Sequence, residues 1–134
     1  MKPYIHAKNS VKRYGGQIDD YISIHDFFDS TKAAFADARH RAILHSSFGI
    51  FLVEKVFGTI MTNSDGKVIS VRDIGEDHVI EDLGSIPSVE QWLCNLPIQD
   101  WMFAKGQGNF VNRSKVKFDP VKNTKLSLND LIID

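Results

Sequence analysis

The side chains best able to do chemistry fall in three short stretches: "IHDFFDS" (residues 24–30), "RHRAILH" (39–45) and "GEDHVIED" (75–82). In the first, His25 and Asp29 are four residues apart and would share a helical face, while Asp26 lies about 100° round the helix. His78 and Asp82 repeat the i,i+4 relation, with Glu76 and Glu81 close by. In "RHRAILH", His45 would share a face with Arg41. His40 and His45 are about 140° apart on an undistorted helix, so only one of them could reach a common ion.

Imidazole and carboxylate ligands together suit Zn, Mn, Fe or Ni, and an ion so held lowers the pKa of a bound water and makes a hydrolase. His25, Asp29, His45, His78 and Asp82 are therefore the candidate ligands of a divalent metal, with His40 as the alternative to His45; a phosphoester is the natural substrate. The spacing matches no strong metal signature such as HExxH. Two other uses stay open. The same groups could be buried polar pairs that tie helices together, or Arg39, Arg41 and Arg72 could cradle a phosphate or nucleotide. No catalytic nucleophile is assigned, because Ser46, Ser47 and Cys94 lie in no elbow or activating motif.

These groups need elements to hold them. "IDDYISIHDFF" (18–28) has an apolar stripe at helical spacing after the Gly15–Gly16 break. Asp29, Ser30 and Thr31 could then cap a second helix running to about Phe57 and stopped by Gly58. Its second half is apolar in nearly every direction, which predicts a central helix enclosed on all sides; Ala38, Ala42, Ser46 and Gly49 form a narrow small-residue sector. "TIMTNSDGKVISV" predicts a β-hairpin at about 59–72, with Gly66 free to take a positive φ. "IGEDHVIEDLG" predicts a helix closed by Gly84. "IPSVEQWLCNLP" predicts another, with Ser88 and Gln91 as a capping box before Pro97 and with Trp92 and Leu93 docked on the core.

The fold class expected is α+β: a compact helical core of three to four helices, one of them central and buried, with the appended hairpin. The length of 134 residues and the 43 % apolar content fit one globular domain. Residues 1–103 carry 10 Lys/Arg against 14 Asp/Glu, net −4, whereas 104–134 carry 6 against 3, net +3. The domain is accordingly placed at 1–103. The Gly- and Asn-rich basic remainder is expected to be a mobile extension, able at most to touch phosphate, nucleic acid or an acidic partner. One cysteine allows no internal disulfide, and neither a signal-peptide core nor a membrane-length apolar run is present, so a cytoplasmic protein with no membrane partner is expected.

The stretches "SVKRYGG", "DYISIHDFFDSTKA", "RHRAILH", "TNSDGKVISVRDIGEDHVIEDLGSIPS" and "QWL" resemble an uncharacterised family of short bacterial and tailed-phage proteins, a domain of unknown function, over residues 9–102. Phe27 stands where the family pattern has tryptophan. Ser46 stands where a second histidine often follows "LH", which weakens any site needing one there. The resemblance implies a small intracellular protein borne by a phage or other mobile element, and it brings no catalytic residues with it. A phage accessory factor that binds a host protein or a nucleotide without turnover is therefore the alternative to a hydrolase.

Overall fold

The computed structural model describes residues 1–107, with side chains to Phe103; beyond these, the expected basic extension and the pattern "KLSLNDLIID" lie outside the described residues. The elements are α1 (Pro3–Tyr14), α2 (Ile18–Phe28), two 3₁₀ turns (Ser30–Ala33, Ala38–Arg41), α3 (Ser47–Phe57), β1 (Ile60–Thr62), β2 (Val68–Ser70), α4 (Val71–Leu83), α5 (Val89–Leu93) and a 3₁₀ segment (Asp100–Gln107). The class is α+β, as expected: a helical core carrying a two-stranded antiparallel hairpin.

Helix α1 was not expected, yet its boundaries have plain causes. Pro3 occupies the first turn, where a missing N–H is harmless; Lys12 and Arg13 meet the negative end of the helix dipole, and Gly15 at φ 81° ends it. Its buried residues are His6, Ala7 and Ser10, two of them small enough to bring α2 close. Helix α2 buries Tyr21, Ile24, His25 and Phe28. Full burial of a side chain such as Phe28 contributes about 2–3 kcal/mol.

The single long helix expected over 30–57 is not formed. Asp29 stands at the N-cap of the first 3₁₀ turn but its side chain makes no capping hydrogen bond, because it is turned into the polar cluster described below. Asp37 instead accepts from the Arg39 N–H, and Ser46 accepts from the Gly49 N–H to start α3. Between them Ile43 adopts φ 75°, a strained conformation for a β-branched residue. The chain doubles back so tightly that a Cβ on Gly49 would lie 1.7 Å from the Leu44 carbonyl oxygen. Nor is α3 enclosed on all sides: it buries Gly49, Ile50 and Val53 and leaves Phe48, Phe51 and Val56 exposed.

In the hairpin Met61 pairs with Ile69, and Gly66 takes φ 81° as its turn requires. Asn63 Nδ2 donates to the Tyr14 carbonyl (3.0 Å) and the Tyr21 hydroxyl (3.1 Å), and Asp65 accepts from the Gly16 N–H, so the turn is pinned to the α1–α2 junction. The second strand ends at Ser70, which caps α4 directly; α4 thus begins at Val71, earlier than the sequence pattern indicates. Gly75 lets α4 pack close, since a Cβ there would meet Phe28 Cζ at 3.1 Å and Val53 Cγ1 at 3.2 Å. Gly84 closes α4 in the left-handed conformation and Ser88 with Gln91 caps α5, both as expected. Leu93 is exposed, however, and only Trp92 reaches inward, donating its indole N–H to the His45 carbonyl at 2.8 Å. No described helix is long and apolar enough to cross a membrane.

Candidate metal centre

The core has a polar heart. Helix α1 contributes His6, α2 contributes His25 and, at its C-cap, Asp29; the strained 41–46 segment contributes His45, and α4 contributes His78 and Asp82. The four histidines are 0 % exposed, Asp29 8 %, and the Asp82 side chain 1 %, so this is interior rather than surface. Burying two carboxylates this deeply is unfavourable unless their charge is met.

How it is met is unusual. Asp82 Oδ2 lies 2.9 Å from His45 Nε2 and 3.4 Å from His78 Nε2, and Asp82 Oδ1 lies 3.2 Å from His6 Nε2 and 3.7 Å from Arg41 Nη2. Asp29 Oδ1 is surrounded by the Nε2 atoms of His40 (3.5 Å), His45 (3.7 Å) and His78 (3.8 Å), and neither Asp29 oxygen makes a hydrogen bond. Seven buried side-chain polar atoms among the described residues lack a hydrogen-bond partner, and all seven belong to His6, Asp29, Arg41, His45, His78 and Asp82. Such orphans are few in a folded protein and call for an explanation such as an ion.

The donor set itself fits a divalent metal. One ligand atom each from Asp29, His45, His78 and Asp82 can be chosen so that all lie within 4.8 Å of one another. Two ligands with bonds of about 2.1 Å stand about 3.4 Å apart on a tetrahedral ion and about 3.0 Å apart at right angles on an octahedral one. The observed 2.9–3.8 Å between these imidazole and carboxylate atoms spans that range.

The rings are held from behind. His78 lies between Phe28 (centroids 4.8 Å) and His6 (3.8 Å), nearly parallel to both. Its Nδ1 is 2.9 Å from His25 Nδ1, and His25 Nε2 is 2.8 Å from Ser10 Oγ. This chain has two self-consistent proton arrangements. In one, Ser10 donates to His25, His25 donates to His78, and a His78 Nε2–H faces the carboxylates. In the other, Ser10 donates to the His6 carbonyl at 3.2 Å, His25 donates to Ser10, and His78 donates to His25. The bare Nε2 lone pair of His78 then faces the carboxylates and can bind a cation.

Electrostatics agree with the geometry. Burial pushes the Asp82 carboxyl up, but the His45 hydrogen bond and the neighbouring imidazoles of His6 and His78 outweigh it and hold it far below the usual carboxylate range. Burial likewise raises Asp29, and His78 and His45 bring it below its ordinary value. Burial alone would lower His78, but Asp29 and Asp82 raise it overall. Burial lowers His45 despite Asp82, and burial followed by the charges of His78 and His6 drives His25 down to about 2.

Of the five metal ligands expected from sequence, the structure gathers Asp29, His45, His78 and Asp82 into one cluster. His25 stands behind His78, and its ligand atom falls in a second group, with those of His6 and His78, all within 4.8 Å of one another. Asp26 is exposed. The three arginines do not form one anion cradle. Arg39 is paired with Asp37 and lies over the Phe35 ring, Arg72 is paired with Glu76, and Arg41 alone reaches the cluster. His6 escaped the sequence reading because no element was assigned to residues 3–14; Pro3, Gly15 and the apolar spacing between them carried the signal.

A buried His/Asp cluster in an α+β fold defines the molecule as one that could hold a metal ion. The chain belongs to the family DUF6915, a domain of unknown function, whose model matches residues 1–102. No curated protein and no solved structure matches it.

Proposed function

We propose that the chain binds one divalent transition metal through Asp29, His45, His78 and Asp82 and uses it to hydrolyse a phosphoester. The carrying observation is Asp29 Oδ1, buried without a hydrogen bond while three imidazole nitrogens stand 3.5–3.8 Å from it. That spacing is too long for hydrogen bonds and a few tenths of an ångström wider than that of adjacent ligands on one ion, so a bound ion would draw these groups inward. Zn, Mn, Fe and Ni all accept such a set, and the ion supplies Lewis acidity and a water of lowered pKa.

Arg41 links this chemistry to solvent. Its guanidinium lies 3.7 Å from Asp82 while 22 % of the side chain stays exposed, which suits it to hold a substrate phosphate by charge-assisted hydrogen bonds. The test is to strip the protein with chelator, reload it with Zn, Mn, Fe or Ni, and assay simple phosphomonoesters and phosphodiesters. Turnover that is lost in Arg41→Ala, with metal still bound, supports the reading. Stoichiometric metal with no turnover on either ester class refutes hydrolysis.

The enclosure of the cluster favours a second reading, a cytoplasmic accessory protein of phage origin that binds without turnover. The ion would then tie the end of α2, the 41–46 segment and α4 together. Exposed Phe48, Phe51 and Val56 on α3 would meet a host protein, or Arg41 a nucleotide.

A further inference from the structure

We propose that α5 is a latch on the metal centre: the Trp92 indole holds the backbone of the ligand His45, so that the docking of α5 sets how tightly the ion is bound, and the ion in turn tightens α5. This rests on the metal reading above and extends it to how that site is regulated.

The two histidine ligands are held in different ways. His78 lies within α4, and its Nδ1 meets His25 Nδ1 at 2.9 Å. His45 has neither support. It comes from the irregular 41–46 segment, and its Nδ1 is buried without a hydrogen-bond partner, although a ligating imidazole is normally oriented by a bond at its second nitrogen. Orientation of the His45 ring therefore falls to its backbone and to neighbours such as Phe28, whose ring lies edge-on with centroids 6.0 Å apart.

That backbone is strained two residues earlier, where Ile43 takes φ 75°, and such a conformation persists only where its surroundings hold it. Two bonds tether the region to residues 87–92. Trp92 donates its indole N–H to the His45 carbonyl at 2.8 Å, and the Ser47 N–H donates to the Pro87 carbonyl at 2.9 Å. Helix α5 depends on the same attachment. It is five residues long and buries none of them fully, whereas a helix alone in water needs about 12–15 residues even to be marginal. From Glu90 to Phe103, Trp92 is the one residue that is not exposed. A change that lifts Trp92 thus frees α5 and loosens His45 together. Coupling between two binding equilibria is reciprocal, so an ion that fixes His45 must hold Trp92 down by the same factor.

The test uses metal-depleted full-length protein and Zn(II). Affinity is measured by competition with a chromophoric chelator for wild type and for Trp92→Phe, which keeps an aromatic ring but removes the N–H. NMR follows hydrogen exchange of the Trp92 indole N–H in wild type with and without Zn(II), its signal told from that of Trp101 by Trp101→Phe. Expected are Zn(II) binding at least about fivefold weaker in Trp92→Phe and indole exchange slowed by a similar factor when Zn(II) binds. A tryptophan that only packs α5 on the domain would exchange at the same rate with and without the ion. The exchange measurement needs no change at Trp92 and covers the case in which Trp92→Phe fails to fold. Unchanged affinity in folded Trp92→Phe, or indole exchange indifferent to bound Zn(II), would overturn the latch while leaving the four-ligand centre standing. No Zn(II) binding to wild type would overturn both.

Discussion

His25 makes the metal-free protein sensitive to mild acid. Its ring is fully buried between Ser10 Oγ and His78 Nδ1, and its charged form is opposed first by burial and then by His78 and His6, with Arg13 adding slightly and Asp29 opposing. The folded state therefore keeps His25 neutral down to about pH 2, whereas the unfolded chain takes up a proton near the usual 6.5. Below pH 6.5 the unfolded state binds a proton that the folded state refuses, so stability falls as pH falls. Between pH 7 and pH 5 the loss from this one residue is about 2 kcal/mol. His45, also lowered, acts with the same sign. His78, raised, acts oppositely: its contribution is complete below 6.5 and is lost as pH rises through its folded value. Comparing wild type with His25→Gln cancels these two to first order. In urea titrations with EDTA present, the wild-type midpoint should fall between pH 7 and pH 5 by about 1 M more than that of the variant, taking a slope of about 2 kcal/mol per M. Equal falls in the two proteins would refute the reasoning.

Three further outcomes follow from the same geometry. At a metal concentration 100 times the dissociation constant, wild type should gain about 2.7 kcal/mol, or about 10 °C in melting temperature for a domain of this size, and Asp82→Asn should lose that gain in a thermal melt. Gly75→Ala should destabilise the fold by about 1–3 kcal/mol in chemical denaturation, since its Cβ would press on Phe28 Cζ and Val53 Cγ1 at 3.1–3.2 Å. Long-range proton–nitrogen NMR should show the His78 proton on Nδ1 when Zn(II) is bound, with His25 protonated on Nε2; a His78 proton remaining on Nε2 would contradict the relay through Ser10.

The parts of the fold legible in the sequence were those set by local chemistry. The Asn63–Gly66 turn, the stop at Gly84 and the Ser88–Gln91 cap need only a few neighbouring residues, and each stands where the sequence places it. The His78–Asp82 pair was legible for the same reason, being one turn apart within α4. What was not legible depended on partners distant in sequence. Asp29 resembles a helix cap locally, but His40, His45 and His78 draw it into the cluster, and the helix expected to follow breaks into turns. Ile43 at φ 75° sits in the tight turn closed by the His45 N–H on the Arg41 carbonyl and by the Ser46 hydroxyl on its own carbonyl, a strain of the kind found beside functional sites that no residue-type rule signals. His6 joins residues 75 positions away, which no spacing rule could show.

The claim on which the rest depends is that this buried cluster holds one divalent ion. Elemental analysis of the purified, tag-free protein, repeated on His78→Gln, measures it directly. About one transition metal per chain in wild type and none in the folded variant is the predicted result. A wild-type protein that carries no metal, and whose melting temperature does not move on adding Zn, Mn, Fe, Co or Ni, would contradict it.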